Sequence, residues 1–232
     1  HGVTIRHPTG LQIDLVEHVL AALGGLSLQG SVLIAVDGPE LPLLDGGSAV
    51  FADALLRLCA PSALPRVRIT RRETLRQGNS VYHFVPAPRV ALRVSVHFDH
   101  PNIGAQQASW DGTVDAFVRD IAPARTFGFR AQAAALWERG RALLCASPEG
   151  LAAFERAVLV FDHQPGSGPD ALPDEIARHK LLDLIGDFTL HGGPPIRHVH
   201  AAPPGPPAHQ PAILAPPPPP PPPPPRPPPP LP

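Results

Sequence analysis

The sequence predicts an α+β fold in two domains, each packing helices against a β-sheet. Three observations lead there. Apolar residues recur at helical spacing near both ends of the chain's body, and short stretches of alternating polar and apolar residues lie between them. Both halves of the body carry both patterns, which calls for helices laid on sheets rather than for an all-helical or all-strand architecture. A proline-rich C-terminal stretch has neither pattern. The expected organisation is a first domain over 1–64, a second over 65–202 and a disordered tail over 203–232.

Leu15, Val16, Val19, Leu20 and Leu23 follow a helical period, with Asp14 placed to cap the N-terminus and Gly24-Gly25 to stop the helix. A first helix is therefore expected from Asp14. Residues 31–36, Ser-Val-Leu-Ile-Ala-Val, read as a strand ended by the turn Asp37-Gly38-Pro39. A second helix is expected over 47–58, carrying Phe51, Leu55 and Leu56 inward. Residues 60–65 read as a linker. Beyond it, 66–70, 81–85 and 90–98 read as antiparallel strands, 132–140 and 174–190 as helices, and 158–161 as a short strand. The stretch 191–202, with Gly-Gly-Pro-Pro and then His198-Val199-His200, reads as a solvated loop. Polyproline from Pro216 to Pro230, broken only by Arg226, adopts an extended polyproline II helix and builds no core.

Composition narrows the function. The net charge is -1 with both signs intermingled, which excludes the clustered basic face of a nucleic-acid binder. The two cysteines, Cys59 and Cys145, are far apart, so neither a disulfide framework nor a thiolate zinc site is expected, and a reducing cytoplasm fits. No apolar run reaches the ~18–20 residues of a membrane span. The chain opens with His1 and contains no methionine, and so reads as a fragment. Lys180 is its only lysine.

Two constellations carry chemistry. In the helix expected over 174–190, His179, Asp183 and Asp187 are four residues apart and share one face, so imidazole and carboxylate reach toward one metal ion. The same spacing also serves a surface pair that merely supports the helix. In the first helix Glu17 and His18 are adjacent and point about 100° apart, so a histidine can ligate a metal while its neighbour faces the metal's water. An ordinary polar helix face accounts for that pair equally well. Together the two would supply two histidines and an aspartate, three ligands with a fourth position open, which is the pattern of catalytic rather than structural zinc.

The text around these residues decides between the readings. Residues 16–23 (Val-Glu-His-Val-Leu-Ala-Ala-Leu), 36–46 (Val-Asp-Gly-Pro-Glu-Leu-Pro-Leu-Leu-Asp-Gly) and 98–104 (Phe-Asp-His-Pro-Asn-Ile-Gly) with Gln106-Gln107 resemble the UDP-3-O-acyl-N-acetylglucosamine deacetylase family. So do 124–129 (Ala-Arg-Thr-Phe-Gly-Phe) and 179–187 (His-Lys-Leu-Leu-Asp-Leu-Ile-Gly-Asp), in the family's order and spacing. The resemblance implies Zn2+ held by His18, His179 and Asp183, with Glu17 as general base. Thr126 matches the threonine that holds the carbonyl oxyanion, Lys180 a lysine beside the metal, and Asp187 the aspartate that orients the family's acid histidine. It also implies hydrolysis of the substrate's N-acetyl group, releasing acetate, in the committed step of lipid A synthesis. The expected partner is that small molecule, UDP-linked acylated glucosamine, met by a cytoplasmic monomer with its active site at the domain interface. Phe127 and Gly128 are expected to line the substrate site. An inserted unit over 137–162 is expected to supply an apolar passage, with Leu143, Leu144, Leu151, Phe154, Val158 and Leu159 lining it or serving as core.

The sequence departs from the family in two places. The family's first strands are absent, and where its Gly-His acid motif falls this chain has Gly205-Pro206. His209 is the expected substitute acid, with His198 and His200 as poorer candidates. Flanking prolines forbid the helix that normally follows. A catalytically impaired relative that still binds zinc and sugar nucleotide is therefore the alternative reading, and a tail acting as a ligand for proline-binding modules is another.

Overall fold

The computed structural model describes residues 2–30, 32–60, 68, 70–77, 80–130 and 156–202. It is an α+β structure. Two short strands, β1 (Ile5–Arg6) and β2 (Gln12–Ile13), pair antiparallel ahead of helix α1 (Glu17–Gly25), and helix α2 (Ala49–Leu58) follows. A five-stranded sheet comes next: β3 (Glu73–Gln77), β4 (Ser80–Val85), β5 (Ala91–Phe98), β6 (Gly104–Trp110) and, from the far end of the chain, β9 (His198–Ala202). Its order is β3-β4-β9-β5-β6, antiparallel throughout except that β9 runs parallel to β5. A short helix α3 (Val114–Ala116) continues as a π-helical turn over Phe117–Ile121. Strands β7 (Thr126–Phe129) and β8 (Val158–Phe161) form a separate parallel pair, and helix α4 (Glu175–Thr189) precedes β9.

Strict alternation makes the large sheet two-faced. β5 sends Leu92, Val94 and Val96 inward, each nearly solvent-free, and leaves Arg93 and His97 outside. Burying each such side chain contributes about 1.5–3 kcal/mol. Tyr82 and Phe84 of β4, Val199 and Ala201 of β9, and Trp110 of β6 complete the inner face. Against it lies α4, whose Ile176, Leu181, Leu182, Leu184, Ile185 and Phe188 are buried almost all round. α1 then packs on α4 at close range through small residues. A Cβ on Gly186 would sit 2.6 Å from the Glu17 carbonyl oxygen, and one on Gly24 would sit 2.1 Å from Thr189 Oγ1. One core cluster thus runs from Ala21 of α1 to Ala201 of β9, joining both sequence halves.

Several expectations are corrected. α1 begins at Glu17, three residues after Asp14, because Leu15 takes a left-handed φ of 59° and Asp14 spends its backbone N–H and C=O on Pro39 and Leu41. Val16 is the N-cap, and no side chain caps the helix. Residues 32–36 form no strand; Leu33 is 96% exposed and no described strand pairs with the segment, so β-propensity alone does not make it one. In α2 the inward residues are Ala52 and Leu55, with Phe51 half-buried and Leu56 exposed. Of 66–70 only Arg68 and Thr70 are described, and Arg68 bridges to Ile196. The expected loop at His198-Val199-His200 is instead strand β9, seated mid-sheet. β1, β2, β3, β6 and β7 fall where the sequence patterns predict no strand. The expected helix over 132–140, most of the linker 60–65, the tail 203–232 and the candidates Leu143, Leu144, Leu151, Phe154 and His209 lie outside the described residues. Val158 and Leu159 are core residues of β8. Among the described residues no helix is long and apolar enough to cross a membrane.

Candidate metal centre

The contact of α1 with α4 positions the site. Gly186 lets the Glu17 backbone approach, which brings the first turn of α1 alongside the middle of α4. His18 from α1 and His179 and Asp183 from α4 consequently converge, with one ligand atom from each lying within 4.8 Å of the others. Both histidines are buried, at 5% and 3% exposure, and their rings meet edge to face with centroids 5.2 Å apart.

Each ligand is held by a second group. His179 Nδ1 lies 3.0 Å from the Ala124 carbonyl oxygen, which can only accept, so the proton sits on Nδ1 and the Nε2 lone pair is free. That lone pair faces Asp183 Oδ1 across 3.6 Å. Burial holds His179 below its ordinary pKa, and burial together with the neighbouring His179 pushes His18 down to about 3. Both imidazoles are thus neutral at pH 7 and available as ligands. Asp183, although burial alone would raise its pKa, is held well below the carboxylate range by Lys180, whose Nζ is 2.9 Å from Oδ2. A neutral imidazole lone pair and a carboxylate oxygen opposed in a buried site are donors that could share a metal ion. Two imidazoles and one carboxylate are a donor set that zinc accepts. Ser48 Oγ donates to the His18 carbonyl oxygen at 2.7 Å and steadies the α1 side.

Around this trio the other expected residues take distinct places. Glu17 is half-buried; its Oε2 accepts from Val3 N at 2.9 Å, and burial raises its pKa to about 7, the range of a proton acceptor at neutral pH. Lys180 lies over the Phe127 ring, 5.4 Å from its centroid, and Phe127 meets His179 edge to face at 6.5 Å. Thr126 is half-buried at the start of β7, its N–H donating to the Gly46 carbonyl at 2.7 Å, and Gly128 is buried two residues on. Asp187 is buried on α4, and its charge acts on Tyr82 and Glu17. His198 and His200 are not brought to the site. They point from β9 away from Val199 and Ala201, the residues that face the core shared with α4.

Sequence reasoning missed what fixes the site's frame. Glu175, 1% exposed at the start of α4, accepts hydrogen bonds from the backbone N–H of Arg125 at 2.9 Å, from Arg125 Nε at 2.9 Å and Nη2 at 3.2 Å, and from Leu172 N at 2.6 Å. That ties 124–126, which holds His179 through Ala124, to the helix carrying the ligands. The acid in the first helical turn was visible in the sequence; its partner fifty residues earlier was not.

Three side chains that could hold a metal ion thus lie beside a carboxylate whose pKa is raised, a combination of groups that hydrolytic metal sites use. The family model for UDP-3-O-acyl N-acetylglycosamine deacetylase matches residues 2–213, and the chain belongs to that family. The UDP-3-O-acyl-N-acetylglucosamine deacetylases of Brucella ovis, Brucella abortus and Brucella suis are each 34% identical to it over 188 residues, or 79% of this chain. The aligned region is 63% of each relative's length, so the chain matches less than two thirds of those proteins.

Proposed function

We propose that the chain hydrolyses the N-acetyl group of UDP-3-O-acyl-N-acetylglucosamine, releasing acetate, in the committed step of lipid A synthesis, with Zn2+ held by His18, His179 and Asp183. The observation that carries the reading is the convergence of those three donors beside Glu17 in a chain of this family. When bound, zinc supplies Lewis-acid polarisation of the acetamide carbonyl and acidifies water. Glu17 then takes the proton of the attacking water, a role its raised pKa suits. The Thr126 hydroxyl donates to the carbonyl oxygen as negative charge builds there, and Lys180, held against Asp183, adds positive field. Phe127 and Gly128 form the adjoining wall. The departing amine needs a proton, and His209 is the candidate donor, with Asp187 orienting the acid; the family match extends through residue 209. A cytoplasmic monomer remains the setting this reading calls for.

A second reading is favoured by Pro206 standing where the family has its acid histidine. A chain lacking that acid would retain zinc and sugar-nucleotide binding and turn over about 10²–10⁴-fold more slowly. Zinc content and acetate release, measured on this chain, on Asp183→Ala and on Glu17→Gln, separate the readings. The proposal expects one tightly held equivalent of zinc and acetate release, both lost in Asp183→Ala, with that zinc kept and acetate lost in Glu17→Gln. Zinc without acetate in the parent chain supports the impaired relative, and a folded parent without zinc refutes the site.

A further inference from the structure

The outer face of the five-stranded sheet carries histidines that the centre above does not use. His83 of β4 and His200 of β9 are cross-strand partners, and on the other side of His200 stands Arg93 of β5. The two rings lie 6.4 Å apart between centroids, tilted by 39°. Each has one nitrogen engaged by a hydroxyl: His83 Nδ1 by Thr74 Oγ1 at 3.1 Å, and His200 Nε2 by Ser95 Oγ at 2.9 Å, with Gln107 Nε2 donating in turn to Ser95 Oγ at 2.8 Å. The row from Thr74 to Gln107 thus crosses all five strands and fixes both rings. It leaves His83 Nε2 and His200 Nδ1 without a hydrogen bond among the described residues. His198, two residues before His200 on the same strand, shares this face and is exposed. No carboxylate stands at an outward position of β4, β5, β6 or β9 to compete for these imidazoles.

We propose that His83 and His200, with His198 beside them, form a second site for a first-row transition-metal dication on the solvent face of the sheet, separate from the His18, His179 and Asp183 centre. Imidazole is a preferred ligand of Zn2+, Cu2+ and Ni2+. Metal–nitrogen distances of about 2.0–2.1 Å place two imidazoles sharing one ion with centroids about 5–6 Å apart. Closing from 6.4 Å therefore takes only a small rotation of side chains on an open face. The hydroxyls of Thr74 and Ser95 do what outer partners of metal-bound histidines do, fixing ring orientation through the nitrogen that does not ligate. Burial, then Arg93 and the two neighbouring histidines, lower the pKa of His200 and keep its lone pair available. The facing pair supplies two donors and water fills the rest, with His198 two residues along the same face of β9.

The probe is the metal alone. Metal-free protein is titrated with Zn2+ by equilibrium dialysis, and with Cu2+ under electron paramagnetic resonance. Two equivalents are expected, the tighter abolished by Asp183→Ala and the weaker reduced at least tenfold by His83→Ala and by His200→Ala, with a smaller loss in His198→Ala. Both side chains lie on the solvent face, so the metal-free variants should melt with the parent. In the parent protein the second Cu2+ should show nitrogen hyperfine coupling, a readout that needs no variant. The proposal is overturned if the parent stops at one equivalent that Asp183→Ala removes, if the weaker equivalent survives undiminished in both His83→Ala and His200→Ala, or if the second Cu2+ signal lacks nitrogen coupling.

Discussion

Replacing Glu175 by glutamine tests how the site's frame is held. The wild-type carboxylate is 1% exposed and takes four hydrogen bonds, two of them from the Arg125 guanidinium, whose side chain is 29% exposed. Removing one partner of a buried ion pair typically costs about 3–5 kcal/mol because the other charge is stranded. Arg125 keeps partial solvent contact and its 2.7 Å bond to the Asp170 carbonyl, so the lower end, about 3 kcal/mol, applies. For a protein of this size that corresponds to about 6–12 °C in melting temperature. The pH dependence follows from the pKa of Glu175. Burial alone would raise it, but the hydrogen bonds and charge of Arg125 hold it below the usual 4.5. A depressed carboxylate contributes stability that is present above its unfolded pKa and lost as pH falls through its folded one. The gap between parent and Glu175→Gln should therefore be full at pH 7, start to close below about pH 4.5 and vanish in stronger acid. Urea denaturation across that range measures it. Zinc affinity should fall about 10–100-fold in parallel, since Ala124, which orients His179, is tied to Glu175 only through its neighbour Arg125. A gap under about 1 kcal/mol at pH 7, or one that widens as pH falls, refutes the account.

Two further predictions concern the helix pair. Gly186→Ala places a Cβ 2.6 Å from the Glu17 carbonyl oxygen and 3.3 Å from Ala21 N, contacts with backbone that cannot swing aside, so α1 must shift off α4. A loss of about 1–3 kcal/mol is expected in denaturation, with weakened zinc uptake because His18 moves away from His179; unchanged zinc affinity would contradict the shared-contact origin of the site. Glu17 should make the metal-free protein pH-sensitive. Its pKa of about 7 exceeds the ordinary 4.5, so its burial stabilises the fold below pH 4.5 relative to higher pH, and that stability is lost as pH rises through 7. Metal-free Glu17→Gln should consequently be the more stable protein at pH 8 and match the parent at pH 5, as read from thermal melts at both values.

Local sequence carried the chemistry further than the architecture. His179 and Asp183 share a face because four residues make about one helical turn, and α4 was legible to within a residue at each end for the same reason. β8 matched its expected bounds, being a short apolar run with turn residues after it. β9 was misread because its sequence follows Gly-Gly-Pro-Pro and its polar positions are histidines. What makes it a strand is pairing with β4 and β5, more than a hundred residues earlier. Residues 32–36 failed in the opposite way, with strand-forming side chains and no described partner.

The sequence by itself determined which residue types are available as ligands, their spacing along two helices, and the family whose order of motifs they follow. Only the tertiary structure decided that those helices touch through Gly24 and Gly186 and so bring His18 to His179, that Ala124 sets the proton position on His179, and that His83 meets His200 on the outer face of the sheet. Spacing is local and is written in the chain's covalent order. Convergence, burial and the pKa shifts they cause depend on contacts between segments far apart in sequence, which form only when the core that joins them has closed.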